Sequence, residues 1–486
     1  MIKDLVLATA SLLINVTPKQ STVEILANFF SATIFFYIVT KVSQERWSRL
    51  MVVLAVPVVL SQFWIVSTIS NFSKINLFFA FLIYIGYGLL TAISFLVIPL
   101  LMVVFRPLGA FAFPVAWCVW ELIPFKLFPW SGGYLFWSSN YIPILYGYVG
   151  PVGISFILLS LISLSRSVPA RSLIFLLTVC LFELVTQKLS LTSHEPDQIK
   201  VSRFLLVQPN HELELKHNPK RINDVVLDLV KLIRSESGEF DYVVLPESAV
   251  YYFSSVRDGS VFLDPILAHL TVNKPMIAGV LTFDQGRYYN SLAFIDSDGY
   301  IRGVYDKVQL MPFGEYLPFR FLTQLILPFH PIEDFTPGYD VKVVELSGLK
   351  FSGMICYEDL FPSIARRGFI GGAQVLVVVS NDLWFGRHMA PYLHDRFAGF
   401  RAVETGLPLI RVSNSGYTSV YSPLGYRSAL LPPNKKLVQV VDVHVRNNPQ
   451  KDLTLRQVAS LFEAALMAFT AVFVFLYFGK ILRFRT

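Results

Sequence analysis

Hydrophobic residues are distributed in two different patterns along this chain. Up to residue 190, and again near the end, they run almost unbroken: at 4–16, 23–42, 50–71, 77–105, 108–124, 142–164, 170–189 and 460–482. A helix needs about 20 apolar residues to cross about 30 Å of hydrocarbon. The runs therefore predict eight membrane helices, seven before residue 190 and one after 459. The first is short for a span and would also suit a re-entrant or interfacial piece. No small-residue cleavage site follows it, so it reads as a retained anchor and not a removed signal peptide. The run at 77–105 is long enough to tilt, or to break at Gly86 and Gly88.

The pattern changes near residue 190, where LTSHEPDQIK is polar and linker-like. From about 199 to 445, short β-rich runs alternate with helical stretches. RFLLVQ, FDYVVLPE, MIAGVLTF, SLAFIDS, VKVVEL, FSGMICYE, AQVLVVVSND, PLIRVSN and TSVYSP read as strands. Several are apolar throughout, as strands covered on both faces are. Helices are expected at 219–236, 259–271, 361–371 and 394–406. This is an α/β domain of about 250 residues, large enough for a full core. The expected division is a membrane part at 1–190, a soluble domain at 191–455, and a last membrane helix with its tail at 456–486. Two segments fit neither pattern. Residues 319–336 (FRFLTQLILPFHPIEDFT) and 383–393 (LWFGRHMAPYL) are apolar but proline-punctuated. They suggest loops that touch lipid, with packing on the core as the alternative.

Composition agrees with a membrane protein: 54% of the 486 residues are hydrophobic and only 15% charged. The net charge of +7 raises the question of nucleic acid. Residues 191–460 sum to about −1, however, so the basicity belongs to the membrane part. Ten Lys and Arg fall on the side of the two termini, against Lys19, Lys74, Lys126 and Lys188 opposite. That bias predicts cytoplasmic termini and an external soluble domain. No nucleotide-binding glycine fingerprint is present.

Three cysteines, with Cys118 and Cys180 inside apolar runs, leave Cys356 alone in the soluble part. This argues against a disulfide framework or a zinc site. Cys356 ends an apolar strand in GMICYED, Glu247 closes YVVLPES, and Lys307 lies in YDKVQLMPFGEYLP. A thiol with an ordinary pKa of about 8.5 needs a base or a cation beside it to react at neutral pH. A carboxylate in a dry site can take its proton, and an ammonium can stabilise the thiolate and then an oxyanion. Each residue has a plainer alternative: a small buried hydrophobe, a helix N-terminal carboxylate, a solvated turn lysine. Glu121 and Glu183, in apolar runs, suit interfacial snorkelling or a salt bridge as well as function. His388 and His394 lack partners at metal-ligand spacing and read as ordinary loop residues.

The order Glu247, Lys307, Cys356, in LPES, YDKVQLMPFGEYLP and ICYE, resembles the nitrilase superfamily. PFGEYLP, SNDLWFG, FRAVETGLPLIRVSNSG and the membrane segment FPVAWCVWELIPFKLFPWSGGYLFW resemble its membrane branch, the apolipoprotein N-acyltransferases. That resemblance implies a four-layer αββα sandwich on an eight-helix transmembrane bundle in a bacterial inner membrane, with the catalytic domain periplasmic. It implies transfer of an acyl chain from a phospholipid, through a thioester on Cys356, to the α-amine of an S-diacylglyceryl-cysteine on an apolipoprotein. Glu247 would be the general base and Lys307 the charge stabiliser, supported by Glu315, Tyr357 and Glu358. No cofactor or metal is implied, and a monomer is the expected state. Trp384, Phe385, Phe329, Asn381 and His217 are candidate substrate or lipid contacts, and His217 falls where the family often carries a tryptophan. Bringing a chain of about 16 carbons from bilayer to water costs on the order of 12 kcal/mol, at about 0.8 per CH₂. The site is therefore expected to open on the membrane surface. A tethered nitrilase-type amidase and a non-catalytic membrane scaffold are the alternatives.

Overall fold

The computed structural model describes residues 2–16, 24–43, 47–73, 76–123, 131–135, 142–167, 199–216, 218–255, 270, 273–312, 314–316, 334–386, 390–449 and 458–483. It divides into two compact units. One comprises 1–66, 77–193 and 454–486, the other 67–76 and 194–453.

The first unit is helical. Among the described residues, Leu77–Val104 and Tyr146–Leu164 are long and apolar enough to cross a membrane. A third candidate is the pair Ser48–Ser61 and Ile65–Asn71, bent by 44°. Thr33–Ser43 and Leu461–Leu476 are shorter apolar helices. The run at 108–124 gives less than a span. Its start is a tight 3₁₀ turn in which Gly109 has φ 58°, and Ala112–Glu121 has only 10 residues, about 15 Å. The run at 170–189 lies outside the described residues. In 77–105 the helix is interrupted at Phe95–Leu96, not at the two glycines. Gly88 instead lies where a Cβ would come within 3.2 Å of Val59.

Glu121 is half-buried at the end of the helix Ala112–Glu121. Its carboxylate accepts from the Trp117 indole N–H, the Ser131 and Ser155 hydroxyls and the Gly132 backbone N–H. Four neutral donors on one carboxylate satisfy much of the hydrogen-bonding capacity that partial burial would otherwise leave unmet.

The second unit is a two-sheet α/β sandwich. Its strands are β1 (Ile199–Gln208), β2 (Tyr242–Val244), β3 (Phe253–Ser254), β4 (Met276–Asp284), β5 (Arg287–Ile295), β6 (Ile301–Asp306), β7 (Val343–Leu346), β8 (Leu349–Ile355), β9 (Val375–Ser380), β10 (Leu409–Ser413), β11 (Thr418–Tyr421), β12 (Arg427–Leu431) and β13 (Leu437–Arg446). The first sheet runs β13-β1-β2-β4-β5-β6, with β3 beside β4; the second runs β12-β11-β10-β9-β8-β7. The central pairs β1–β2, β2–β4, β8–β9 and β9–β10 are parallel.

Period-2 alternation explains the layers. Phe204 and Leu206 of β1, with Tyr242 and Val244 of β2, pack in one cluster with Phe351, Ile355, Val377 and Ile410 of the second sheet. Leu205, Val207, Val243 and Leu245 point the other way and meet Val225, Val226, Leu229 and Ile233 of the helix Ile222–Ser235. The helices Pro362–Ile370 and Ala390–Thr405 pack on the second sheet. The strands that read as continuously apolar are those with both faces covered. The sheets press together closely at Gly353, where a Cβ would lie 2.6 Å from Leu292 of the facing sheet.

Candidate active site

Three chain segments leaving the sheets bring the predicted trio together. Glu247 follows β2, and its backbone passes so close to β4 that a Cβ on Gly279 would lie 2.6 Å from the Glu247 Cα. Lys307 follows β6, with its N–H on the Asn290 carbonyl at 2.9 Å. Cys356 follows β8 with φ 52°, in the left-handed region that β-carbon sterics disfavour. All three side chains are buried.

The Lys307 ammonium lies between two carboxylates, 2.8 Å from Glu315 Oε2 and 3.9 Å from Glu247 Oε1. Asn290 Nδ2 bridges the same pair, donating to Glu247 Oε1 and Glu315 Oε1 at 2.8 Å each. Both Nδ2 hydrogens are thereby used, which fixes the amide's orientation. Glu315 is further held by the Met311 N–H at 2.8 Å. Lys307 thus has its close ion pair with Glu315, leaving Glu247 the more weakly engaged carboxylate.

Charge states follow from these contacts. Burial works against the Lys307 charge, but Glu315 and Glu247 outweigh it and hold its pKa above the ordinary lysine value. Burial raises the Glu247 pKa, with Lys307 pulling against it and Glu315 adding to it. Burial, then Glu247, push the Cys356 thiol well up, while Lys307 pulls it down. Cys356 is accordingly held as the thiol. A thiol in this state needs proton removal in step with attack, which is general-base chemistry.

Glu358 locks the two sheets' contributions together. Its Oε2 accepts from the Ile355 N–H, just before the thiol, at 2.8 Å. Its Oε1 accepts from the Val308 and Gln309 N–H groups, just after Lys307, at 2.7 and 3.0 Å, and from the Tyr305 hydroxyl at 2.7 Å. Burial raises its pKa to about 7 against the pull of Lys307 and these donors. Tyr357 is buried edge-on against Phe361, at 5.0 Å between ring centres.

Behind the thiol is a cluster that spacing along the chain did not predict. His394, read as an ordinary loop residue, is buried in the helix Ala390–Thr405. Its Nε2 lies 3.1 Å from the Cys356 carbonyl and 2.9 Å from Asp359, and its Nδ1 lies 3.0 Å from Asp382. Burial opposes its charge, but Asp359 and Asp382 raise its pKa to about 9. Asp382 also accepts from Ser380 Oγ at 2.6 Å and from Arg411 Nη2 at 2.9 Å. Burial notwithstanding, the Arg411 and His394 charges hold its carboxyl well below the usual range. Cys356, Asp382 and His394 place possible metal-ligating atoms within 4.8 Å of one another. The Arg411 guanidinium already lies against both Asp382 and His394 Nδ1, so an ion there would have to displace it. The available hint was Arg411, a charge inside the strand run PLIRVSN between Ile410 and Val412, since a buried charge needs partners.

Of the candidate contacts, Asn381 accepts from Asn414 Nδ2 at 3.1 Å. Phe385 is buried edge-on against His394, at 5.5 Å between ring centres. Trp384 follows Asp382 in the 3₁₀ turn Asp382–Phe385 and is partly exposed. His217 and Phe329 lie outside the described residues, as does most of 319–336.

Residues 206–447 match the carbon-nitrogen hydrolase family. Among curated proteins, the chain is similar to apolipoprotein N-acyltransferases from several bacteria. The protein of Geobacter metallireducens is 28% identical over 63% of this chain and 62% of its own length. That of Shewanella oneidensis is 32% identical over 66% of this chain and 65% of its own. That of Allorhizobium ampelinum is 35% identical over 48% of this chain and 46% of its own. The chain thus spans less than two thirds of the length of these relatives.

Proposed function

We propose that this chain, a relative of the apolipoprotein N-acyltransferases with a carbon-nitrogen hydrolase domain at 206–447, transfers a phospholipid acyl chain to an apolipoprotein. The acceptor is the α-amine of an S-diacylglyceryl-cysteine at the apolipoprotein's N-terminus. The observation that carries this reading is the buried Cys356 thiol, on a left-handed strand exit, under the influence of Glu247 and of the Lys307–Glu315 pair. The apolar helices favour a lipid donor over a soluble amide.

The reaction has two halves. In the first, Glu247 takes the Cys356 proton as sulfur attacks the ester carbonyl of the phospholipid. The C–S bond forms, the C–O bond breaks, and the lysophospholipid alkoxide leaves with the proton from Glu247. Lys307 stabilises the negative charge that builds on sulfur and on the carbonyl oxygen. In the second half, the acceptor's neutral α-amine attacks the thioester. The C–N bond forms, the C–S bond breaks, Glu247 removes the extra proton on nitrogen, and it returns that proton to the sulfur. Glu315 holds Lys307, Glu358 holds the strand exit behind the thiol, and Tyr357 offers its backbone N–H to the oxyanion. Asn381 orients the backbone beside the thiol. Trp384, Phe385, Phe329 and His217 are assigned to substrate and lipid contact. No cofactor is needed for either half.

The division at 190 and 455, the inner-membrane location, the cytoplasmic termini, the periplasmic catalytic domain and the monomeric state belong to the same proposal. It is supported by the apolar runs and the excess of basic residues on the terminal side. A tethered amidase would use the same trio but pass the acyl group to water, and a scaffold would use none of it.

Mass spectrometry of the purified protein after incubation with phospholipid tests the reading. An acyl mass on Cys356, absent from Cys356→Ala and discharged by a diacylglyceryl-cysteine peptide, is expected. No acyl mass on the folded wild type in lipid would overturn it. Discharge by water alone would indicate the amidase.

A further inference from the structure

A second lysine is buried beside the general base. Lys216 closes the short helix Leu213–Lys216, is only 2% exposed, and donates from Nζ to the Glu247 carbonyl at 3.2 Å. Among the described residues no carboxylate lies within ion-pair distance of it. Burial brings its pKa down to about 8, with the Glu247 charge pulling the other way. A buried ammonium satisfied mainly by one carbonyl is costly, and an uncharged side chain of similar length would fit at less cost.

The Glu247 backbone needs such a hold. Ser248 follows with φ 44°, a left-handed conformation that its surroundings must enforce. From one side, Gly279 presses to the point where a Cβ would meet the Pro246 carbonyl oxygen at 2.4 Å, and the Ala249 N–H donates to the Gly279 carbonyl at 2.9 Å. Lys216 meets the carbonyl that these contacts leave. The segment bearing Lys216 is itself anchored. The His211 N–H donates to Asn414 Oδ1 at 3.0 Å, and Asn414 Nδ2 donates to the His211 carbonyl at 2.9 Å and to Asn381 Oδ1 at 3.1 Å. Lys216 is thereby tied to the loop that follows β9 in the second sheet.

We infer that Lys216 is a positioning residue for the general base: its ammonium, held on the Glu247 carbonyl, fixes the direction in which the carboxylate leaves the backbone and sets a second positive charge beside it. This rests on the acyl-transfer reading for its chemistry, but its geometry stands without that reading. The groups facing Glu247 are Lys307 from the β6 exit, Glu315 from the turn beyond it, Asn290 from β5, Cys356 from the β8 exit, and Lys216. Of these, Lys307, Asn290 and Lys216 favour the carboxylate form. Removing the Lys216 charge therefore raises the Glu247 pKa and moves the acid limb of any Glu247-dependent rate to higher pH.

The test uses the full chain in lipid, as wild type, Lys216→Met and Lys216→Arg. The single-turnover rate of acyl-Cys356 formation is followed across pH, and alkylation of Cys356 by iodoacetamide is followed in parallel. Lys216→Met is expected to form the thioester about 10 to 100 times more slowly, with KM for phospholipid unchanged and the acid limb displaced upward. Lys216→Arg is expected to restore most of the rate. A wild-type rate and acid limb in Lys216→Met would overturn the inference. So would a slow variant with an unmoved limb and a raised KM, the behaviour of a merely structural residue. Should the wild type form no thioester, the acyl-transfer reading fails on its own, and the alkylation profile still decides on Lys216. The same acid limb in wild type and Lys216→Met would refute its role.

Discussion

Glu315, not Glu247, holds the closer pairing with Lys307, and this division of labour can be tested by titration. The Glu315 charge raises the Glu247 pKa and occupies the ammonium. Glu315→Gln removes the repulsion and frees Lys307 to close on Glu247. Glu247 becomes a weaker base, so acyl-enzyme formation is expected to fall about 10²-fold with its acid limb moved to lower pH. That direction is opposite to the one expected for Lys216→Met, so a single set of pH–rate profiles separates the two. His394 gives a stability prediction. Its pKa is 6.5 when unfolded and about 9 in the fold, so its contribution is fully present below pH 6.5 and is lost as pH rises through 9. Tm is expected to decline across that window in wild type, and His394→Gln is expected to be less stable below it and to lack that part of the decline. At this scale the sequence was informative where chemistry sits at strand exits: Glu247 and Cys356 each end an apolar run, while Lys307 follows the short, polar-interrupted β6 and was marked by its motif alone. It was uninformative for His394, Asp382 and Arg411, whose partners are 12 to 29 positions apart along the chain. No helical or strand period links such spacings, so only the tertiary fold reveals them.

At the scale of elements, what could be read from the pattern follows from how each strand is covered. β1, β4, β8, β9 and β10 are apolar on both faces or nearly so, and each was evident as a run. β13 is not, because LVQVVDVHVR is an edge strand whose buried and exposed positions alternate over its second half. β6 and β12 were missed for a related reason, being short and interrupted by Arg302 in one and Arg427 and Ser428 in the other. The helix after β9 was expected to start at 394 and starts at Ala390. The difference matters, since Pro391 then sits in the helix's first turn, where proline is tolerated, and His394 lies within the helix with its ring on the cysteine carbonyl. The central strands also carry the stability. Ile410 is fully buried between neighbours from both sheets, and Ile410→Ala is expected to cost about 2–5 kcal/mol in urea unfolding of the full chain. A shift confined to the slope of the transition, with its midpoint unmoved, would count against that placement.

Across the whole molecule, the sequence separates two regions by charge as well as hydropathy, about −1 for residues 191–460 and about +8 for the rest. The expected topology can be checked by labelling intact spheroplasts with a membrane-impermeant maleimide. Lys436→Cys, on the exposed edge of the sandwich, is expected to react; Arg46→Cys is expected to stay silent until the membrane is permeabilised. The native Cys118 and Cys356 are buried and should contribute little background. Individual helix limits were not legible in the apolar runs, and among the described residues two helices, or three with the bent pair, are long and apolar enough to cross a membrane. Apolar content does not say where a backbone bends, and the breaks at Phe95–Leu96 and Gly109 follow packing and turn geometry instead. One further consequence lies in the sandwich interior. Glu247 and Lys307 are delivered by one sheet and Cys356 by the other, so the filling between them, tight where Gly353 meets Leu292, acts as a spacer that sets the gap between base and nucleophile. Core residues far from the chemistry are then under a metric constraint besides a stability constraint. A methylene gained on one inner face should be tolerated only when one is lost opposite it, even in a background stable enough to absorb the cost of folding.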